Sequence, residues 1–153
     1  MPRYAANITL LFTEVPALDR AALAAQAGFD GVEVLFPYDH GVAEWKAALG
    51  GLPLALINTA PGDWAAGERG HAAVPGAEAS FRTHFLKAAE VATGLGAGKI
   101  HVMAGCAKGP EATEVFSANV AWACCDKECN KRATSALPIT RRVPRVCVRR
   151  SRR

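Results

Sequence analysis

The sequence predicts an α/β fold in which parallel strands alternate with covering helices. Three observations predict it. Short, near-continuous apolar runs recur at 31–36, 52–57 and 99–103, as strands buried on both faces require. Stretches of helical spacing lie between them and stop at glycines. The alternation repeats four times across residues 1–125, which implies a parallel sheet packed against helices.

Taken in order, residues 4–12 form an extended candidate with β-branched and aromatic side chains. Residues 16–28 read as a helix. Pro16 suits its start, Leu18, Ala22 and Ala25 give apolar spacing, and Gly28 stops it. The second strand is 31–36, closed by Pro37, and 42–49 is a short helix ended by Gly50 and Gly51. Residues 52–57 form the third strand. A long helix covers about 76–95, and Gly96 and Gly98 break it. The fourth strand is 99–103 and the fourth helix 111–123, with a weaker strand signal at 133–139. Two architectures accommodate this order: a doubly wound open sheet, and a (β/α)8 barrel, which typically takes about 250 residues. A dinucleotide-binding reading needs Gly-x-Gly-x-x-Gly between the first strand and helix. The turn here is Thr13-Glu14-Val15-Pro16. Gly94-Leu95-Gly96-Ala97-Gly98 precedes a strand, the wrong side for phosphate binding, and reads as a helix stop.

At 153 residues, one domain is the natural count. Half the residues are apolar, a globular composition rather than a disordered one. No apolar run approaches the roughly 18 to 20 residues of a membrane span. The N-terminus lacks a signal-peptide pattern, so a cytoplasmic location is expected. The net charge of +4 divides sharply. Residues 1–125 hold 8 Lys+Arg against 12 Asp+Glu, and residues 126–153 hold 10 against 2. A basic tail of this kind can mark a nucleic-acid-binding arm or a segment foreign to the fold. Cys124, Cys125, Cys129 and Cys147 also lie there. Their spacing matches no paired zinc knuckle, and without a secretory signal no disulfide framework is expected.

The run from Asn58 to Gly70 carries the strongest functional signal. It places three Gly, one Pro, Trp64, Asp63, Glu68 and Arg69 in one loop after an apolar strand. In parallel α/β folds, functional groups gather beyond the carboxyl ends of the strands. That rule selects Asn7, Glu33, Asn58 and His101 in the strands, with Trp64, Glu68 and Arg69 in the loop, as candidate substrate-binding residues. Glu33 sits in an apolar strand, where an unpaired charge is costly. It faces a polar site or pairs with a neighbouring strand. His101 lies among Ile100, Val102 and Met103 and is either a satisfied core histidine or a site residue. Asp63, Glu68 and Arg69 could form loop-internal ion pairs, although exposed pairs add only about 0–1 kcal/mol. Trp64 closes the mouth of the fold or packs on a ligand. Cys106 has no evident base partner.

These residues carry a family resemblance. The motifs are Ala6-Asn7 with Leu11-Phe12-Thr13-Glu14, Gly28-Phe29-Asp30-Gly31-Val32-Glu33-Val34-Leu35-Phe36-Pro37-Tyr38, and Pro61-Gly62-Asp63-Trp64-Ala65-Ala66-Gly67-Glu68-Arg69-Gly70. Val74-Pro75-Gly76, Phe81-Arg82 and Lys99-Ile100-His101-Val102-Met103-Ala104-Gly105 extend them. Together they closely resemble the hydroxypyruvate isomerase family over residues 3–123. The resemblance implies a xylose-isomerase-like (β/α)8 TIM barrel, of which residues 1–123 would be the N-terminal half, with 124–153 an aberrant, irregular Cys/Arg-rich tail. It implies interconversion of hydroxypyruvate and 2-hydroxy-3-oxopropanoate, or isomerisation of 2-oxo-tetronate, through an enediol. A divalent cation, Mg2+ or Mn2+, and two Glu residues serve that chemistry in the family. Those Glu residues belong to the second half of the barrel. The family's fifth-strand motif Ile-Glu-Pro-Ile-Asn is nearest here to Ala136-Leu137-Pro138-Ile139-Thr140, with Leu137 in the place of the Glu.

The expectation is therefore no catalytic residue, no metal ligand and no cation bound by this chain, which would be inactive alone. A shift of reading frame near Ala123 would account together for the charge reversal, the cysteines and the lost periodicity. Genomic sequence past that codon tests this, because another frame should then encode Glu-Pro-Ile-Asn and a second half-barrel. A small hydroxy or oxo acid is the expected ligand. Self-association through exposed sheet edges is expected as well. A non-enzymatic module on nucleic acid is the competing reading, but the tail has no interleaved aromatics for base stacking.

Overall fold

In the computed structural model, the structure describes residues 1–125 and the strand 145–147. Five parallel strands stand in sequence order: β1 (Ala5–Asn7), β2 (Gly31–Glu33), β3 (Leu54–Asn58), β4 (Lys99–His101) and β5 (Arg145–Cys147). Between them run α1 (Arg20–Gln26), α2 (Val42–Leu49), α3 (Glu78–Leu95) and α4 (Pro110–Cys125). A sheet whose order follows the chain is the topology of a barrel wall. A doubly wound sheet reverses its order at a switch point. The first four strands and their helices thus form an α/β half-barrel.

The elements expected within residues 1–125 are all present, but the strands are shorter. The first, expected over 4–12, ends at Asn7 because the chain turns there. The Asn7 carbonyl accepts the N–H groups of Leu10 and Leu11 at 3.1 and 2.9 Å. Its side-chain oxygen accepts the Thr9 N–H at 3.1 Å, and Phe12 lies in the left-handed region at φ 59°. The second stops regular pairing at Glu33, where its register to β3 shifts. The third starts two residues later than expected, after Pro53, whose ring nitrogen cannot donate to a ladder. The first helix also begins later, at Arg20, because residues 16–19 form a turn. The expected strand at 133–139 lies outside the described residues. The tail, expected to be irregular from 124, departs from that in two places. Helix α4 runs through Cys125, and residues 145–147 pair alongside β4.

The core explains the alternation. Ala6, Ile8, Val32, Val34, Ile57 and Ile100 are buried against Ala21 and Ala24 of α1, Trp45 and Leu49 of α2, and Ala88, Val91 and Ala92 of α3. The abundant alanines let helices lie close to the sheet. At Gly94 a Cβ would stand only 3.0 Å from a Val42 methyl carbon, so α2 and α3 also approach closely. A second cluster joins Phe81 and Phe85 of α3 to Val102 and to Ala123 at the end of α4. Trp122 meets both phenylalanine rings edge-on, with centroids 6.1 and 6.0 Å away. Because strand side chains alternate between faces, Asn7, Glu33 and His101 stand on the face opposite the helices. That face would line the interior of a closed barrel.

Candidate functional site

The carboxyl ends of β1–β4 bring the predicted strand residues together as two register pairs. Asn7 is level with Glu33, and Asn58 with His101, two residues further along because Glu33 pairs with Leu56. Their side chains differ in commitment. The Asn7 side chain closes its own turn. Asn58 is buried at 5% exposure, and its Oδ1 lies 3.1 Å from His101 Nδ1. Glu33 is half-buried, and its carboxylate has no hydrogen-bond or ion-pair partner among the described residues. The structure therefore does not pair it with a neighbouring strand.

Around these pairs, loop residues lock the backbone. The Tyr38 hydroxyl donates to the Asn58 carbonyl. Burial pushes its pKa well above the ordinary phenol value, so it stays a donor. Thr9 Oγ1 accepts the Leu35 N–H at 2.8 Å, and Thr59 Oγ1 accepts the Met103 N–H at 3.0 Å. These bonds tie β1 to β2 and β3 to β4 just beyond the strand ends.

The loop at 59–77 crosses the same end of the sheet. At one side the Trp64 ring meets Phe36, three residues past Glu33, with centroids 6.0 Å apart. At the other, Gly70 bridges Ala104, the Gly105 N–H donates to the Arg69 carbonyl at 3.1 Å, and the Ala73 N–H donates to the Ala104 carbonyl at 2.7 Å. The fit needs glycine at position 70. Its φ is +106°, and a Cβ there would overlap the Met103 carbonyl. The loop thus spans from the end of β2, past β3, to the end of β4.

Its charged residues serve two purposes. Asp63 Oδ1 accepts the N–H groups of Ala65 and Ala66, both at 3.0 Å, a local turn in which an Asp side chain stands in for backbone. Glu68 Oε2 accepts the Asp63 N–H at 2.6 Å and lies 3.4 Å from His71 Nε2. Glu68 therefore faces its own loop. Arg69 holds the Trp64 and Glu68 carbonyls through Nη1 at 3.1 and 2.7 Å, and its guanidinium lies over the Trp64 ring at 3.6 Å. Stacking of this kind pre-positions the cation. Its Nε and Nη2 donors make no bond among the described residues, and Trp64 is 52% exposed. The stacked guanidinium thus keeps these donors at the carboxyl end of the sheet.

Sequence reasoning missed a histidine pair beneath the loop. The rings of His71 and His84 are 5.0 Å apart, and the Nδ1 of each is buried without a partner among the described residues. Desolvation, and then the neighbouring His71, hold the His84 pKa below its ordinary value, with Glu68 opposing. The only sequence signal was His71 three residues after Glu68. His84 sits on α3 and meets it only through folding. Among the described residues, no group of three or more His, Cys, Asp or Glu is placed to hold a metal ion. No helix among them is long and apolar enough to cross a membrane.

No family model matches the chain. Relatives and solved structures do. A 2-oxo-tetronate isomerase from Cupriavidus necator is 56% identical over 107 residues, 69% of this chain and 41% of that protein. The hydroxypyruvate isomerase of Escherichia coli is 46% identical over 107 residues, 69% of this chain and 42% of that protein. A crystal structure of a family 2 AP endonuclease from Brucella melitensis superposes with a TM-score of 0.81 at 40% identity, covering 97% of this chain and 55% of that one. The chain thus spans about half the length of the proteins it matches, or somewhat less. Parallel strands in barrel order and this degree of identity agree: the chain is similar to hydroxypyruvate and 2-oxo-tetronate isomerases, and its fold is that of half a xylose-isomerase-like barrel.

Proposed function

We propose that this half-barrel is the substrate-holding part of an isomerase that interconverts hydroxypyruvate and 2-hydroxy-3-oxopropanoate. The observation that carries the reading is the Arg69 guanidinium stacked on Trp64 at the open end of the sheet, on the loop that passes the ends of β2, β3 and β4. A 2-oxo or 2-hydroxy acid offers a carboxylate, and a planar guanidinium accepts one in fork geometry. Asn58, His101 and Glu33 supply polar groups for the oxygens at the adjacent carbons. The reaction removes a proton from the hydroxymethyl carbon, passes through an enediol and returns a proton to the former carbonyl carbon. The hydroxyl proton moves between the two oxygens. Such a path needs a positioned base and acid, together with stabilisation of the oxygen charge.

The residues described here bind and orient. The acid–base carboxylates that the resemblance implies belong to strands beyond β4, and the motif position for the first of them is Leu137. On this reading the chain binds the acid without turning it over. A divalent cation, which would stabilise the enediol oxygens when bound, finds no donor set among the described residues.

Calorimetry with hydroxypyruvate tests the reading. Binding is expected, with affinity reduced about tenfold or more in Arg69→Ala, as loss of a charge-assisted hydrogen bond predicts. Equal affinity in the variant would remove Arg69 from the site. Turnover of hydroxypyruvate in Mg2+ or Mn2+ would refute the inactivity. The alternative substrate is 2-oxo-tetronate, favoured by the 56% identity to a protein of that name. Tighter binding of the four-carbon acid would select it.

A further inference from the structure

We propose that His71, His84 and Glu68 form a proton-operated latch for the turn that carries Trp64 and Arg69. With no more than one proton added to the two rings, Glu68 and His71 seat the turn beside α3. A second proton drives the His71 ring out from beneath the turn and frees it. The consequence for substrate rests on the reading above, whereas the latch itself does not.

One side chain closes the turn. Glu68 Oε2 accepts the Asp63 N–H at 2.6 Å, and the Glu68 N–H donates to the Asp63 carbonyl at 2.9 Å. Arg69, next in sequence, holds the Trp64 carbonyl inside this turn at 3.1 Å. The same Oε2 lies 3.4 Å from His71 Nε2, and both groups rest on the backbone of Gly62. A Cβ at Gly62, whose φ is +86°, would overlap the carboxylate and the imidazole. The His71 side chain is 11% exposed, and its ring centroid is 5.0 Å from that of His84 on α3. The fastening thus runs from Asp63 through Glu68 and His71 to a helix residue.

These contacts tolerate one positive charge and not two. A single imidazolium has the Glu68 carboxylate as its counterion. Two would share that carboxylate with their rings 5.0 Å apart, and like charges so close disfavour each other. An imidazolium carries a proton on both nitrogens, so each added charge also leaves a buried Nδ1–H without an acceptor among the described residues. The neighbouring charged groups are engaged elsewhere. On the loop, Asp63 accepts from Ala65 and Ala66, and Arg69 is itself a cation. On α3, Lys87 pairs with Glu90 at 3.4 Å, Glu78 accepts the Gly76 N–H, and Arg82 lies over Trp122. Residues 102–105 carry no ionisable side chain, and Cys106 beyond them faces the Gly67 carbonyl. Helix α4 contributes the neutral Asn119, which donates to the Ala72 carbonyl. Accordingly desolvation, then His71, hold the His84 pKa below its ordinary value, with Glu68 opposing. The backbone beside His71 does not relieve the repulsion, because the Ala72 and Ala73 N–H groups are tied to the Met103 and Ala104 carbonyls. The ring turns away instead, and Glu68 loses its seat.

Proton–nitrogen NMR of the full chain between pH 7.5 and 5.5 tests the latch, a range that ends above the ordinary carboxylate values of about 4. As the pH falls, the Asp63 amide proton should move upfield as its bond to Glu68 is lost, while the Ala72 and Ala73 amides keep their positions. His84→Gln removes the second charge and should hold the Asp63 resonance in place. Glu68→Gln retains an acceptor for Asp63 but removes the counterion, so the movement should set in at a higher pH than in the native chain. A native Asp63 resonance that stays put overturns the proposal. So does equal movement in His84→Gln, or an unchanged onset in Glu68→Gln. Calorimetry reads the consequence for substrate. Native affinity for hydroxypyruvate should fall about threefold or more over the same range, within the limit of about tenfold per pH unit for one linked proton. His84→Gln should remove most of that fall. Absent binding, or constant affinity alongside a moving Asp63 resonance, leaves the latch standing and sinks the substrate reading on which its consequence rests.

Discussion

Glu68 accepts an N–H from its own loop and lies beside His71, so its charge is engaged where it sits. Glu33, half-buried at the end of β2, is not engaged by any described residue. The two carboxylates look alike in one dimension and differ because only Glu68 lies within reach of amides in the same turn. The histidines below the loop make a separate prediction. His84 is held below its ordinary value of 6.5, first by desolvation and then by His71, so the unfolded chain binds its proton more readily than the folded one. Stability therefore rises with pH across the interval between the lowered folded value and 6.5. It is complete above 6.5 and declines as the pH falls through that interval. Urea midpoints at pH 7.5 and 5.5 should show the decline, and His84→Gln should reduce it. An undiminished decline in the variant would assign the effect to other groups.

The element on which the site depends is the loop at 59–77. Its length and Gly content marked it in the sequence, and so did Trp64 and Arg69. Its path did not appear there, since it is set by contacts with residues 103–105, more than thirty positions away. Gly70 is the tightest of these contacts. Gly70→Ala should destabilise the chain by about 2 kcal/mol or more, because it adds left-handed strain to overlap with the Met103 carbonyl. Hydrogen exchange should then show loss of protection concentrated at Ala72, Ala73 and Gly105, whose N–H groups fasten the loop. Uniform loss across β1 and α1 would contradict this local account. Strand lengths were overestimated for a related reason. An apolar run continues past the point where pairing stops, and the turn after Asn7 uses side-chain and left-handed geometry that hydrophobicity does not encode.

At the scale of the whole molecule, the sheet is open among the described residues. Strand β1 ends it on one side among the described residues, and an unpaired edge invites pairing with another chain. Tyr4 beside that edge is 65% exposed, and Leu10 and Leu11 beyond it are 68% and 45% exposed. We predict self-association that grows with concentration in sedimentation velocity, weakened by a charge at the edge in Tyr4→Lys. A monomer across the accessible concentration range would count against it.

Fold class, element order and family resemblance were legible in the chain, because burial on both faces writes long apolar runs and helix stops write glycines. The placement of Asn7, Glu33, Asn58 and His101 at strand ends was legible too, since each closes an apolar run. Three things required folding. Register set Asn58 beside His101 and Asn7 beside Glu33, although each pair is separated by more than twenty residues. Packing brought His71 against His84. Strand β5 formed at 145–147, in a basic stretch without strand periodicity, because β4 offered it an edge. Local sequence encodes which surface a segment buries. Which distant partner that surface meets is settled by the assembled sheet.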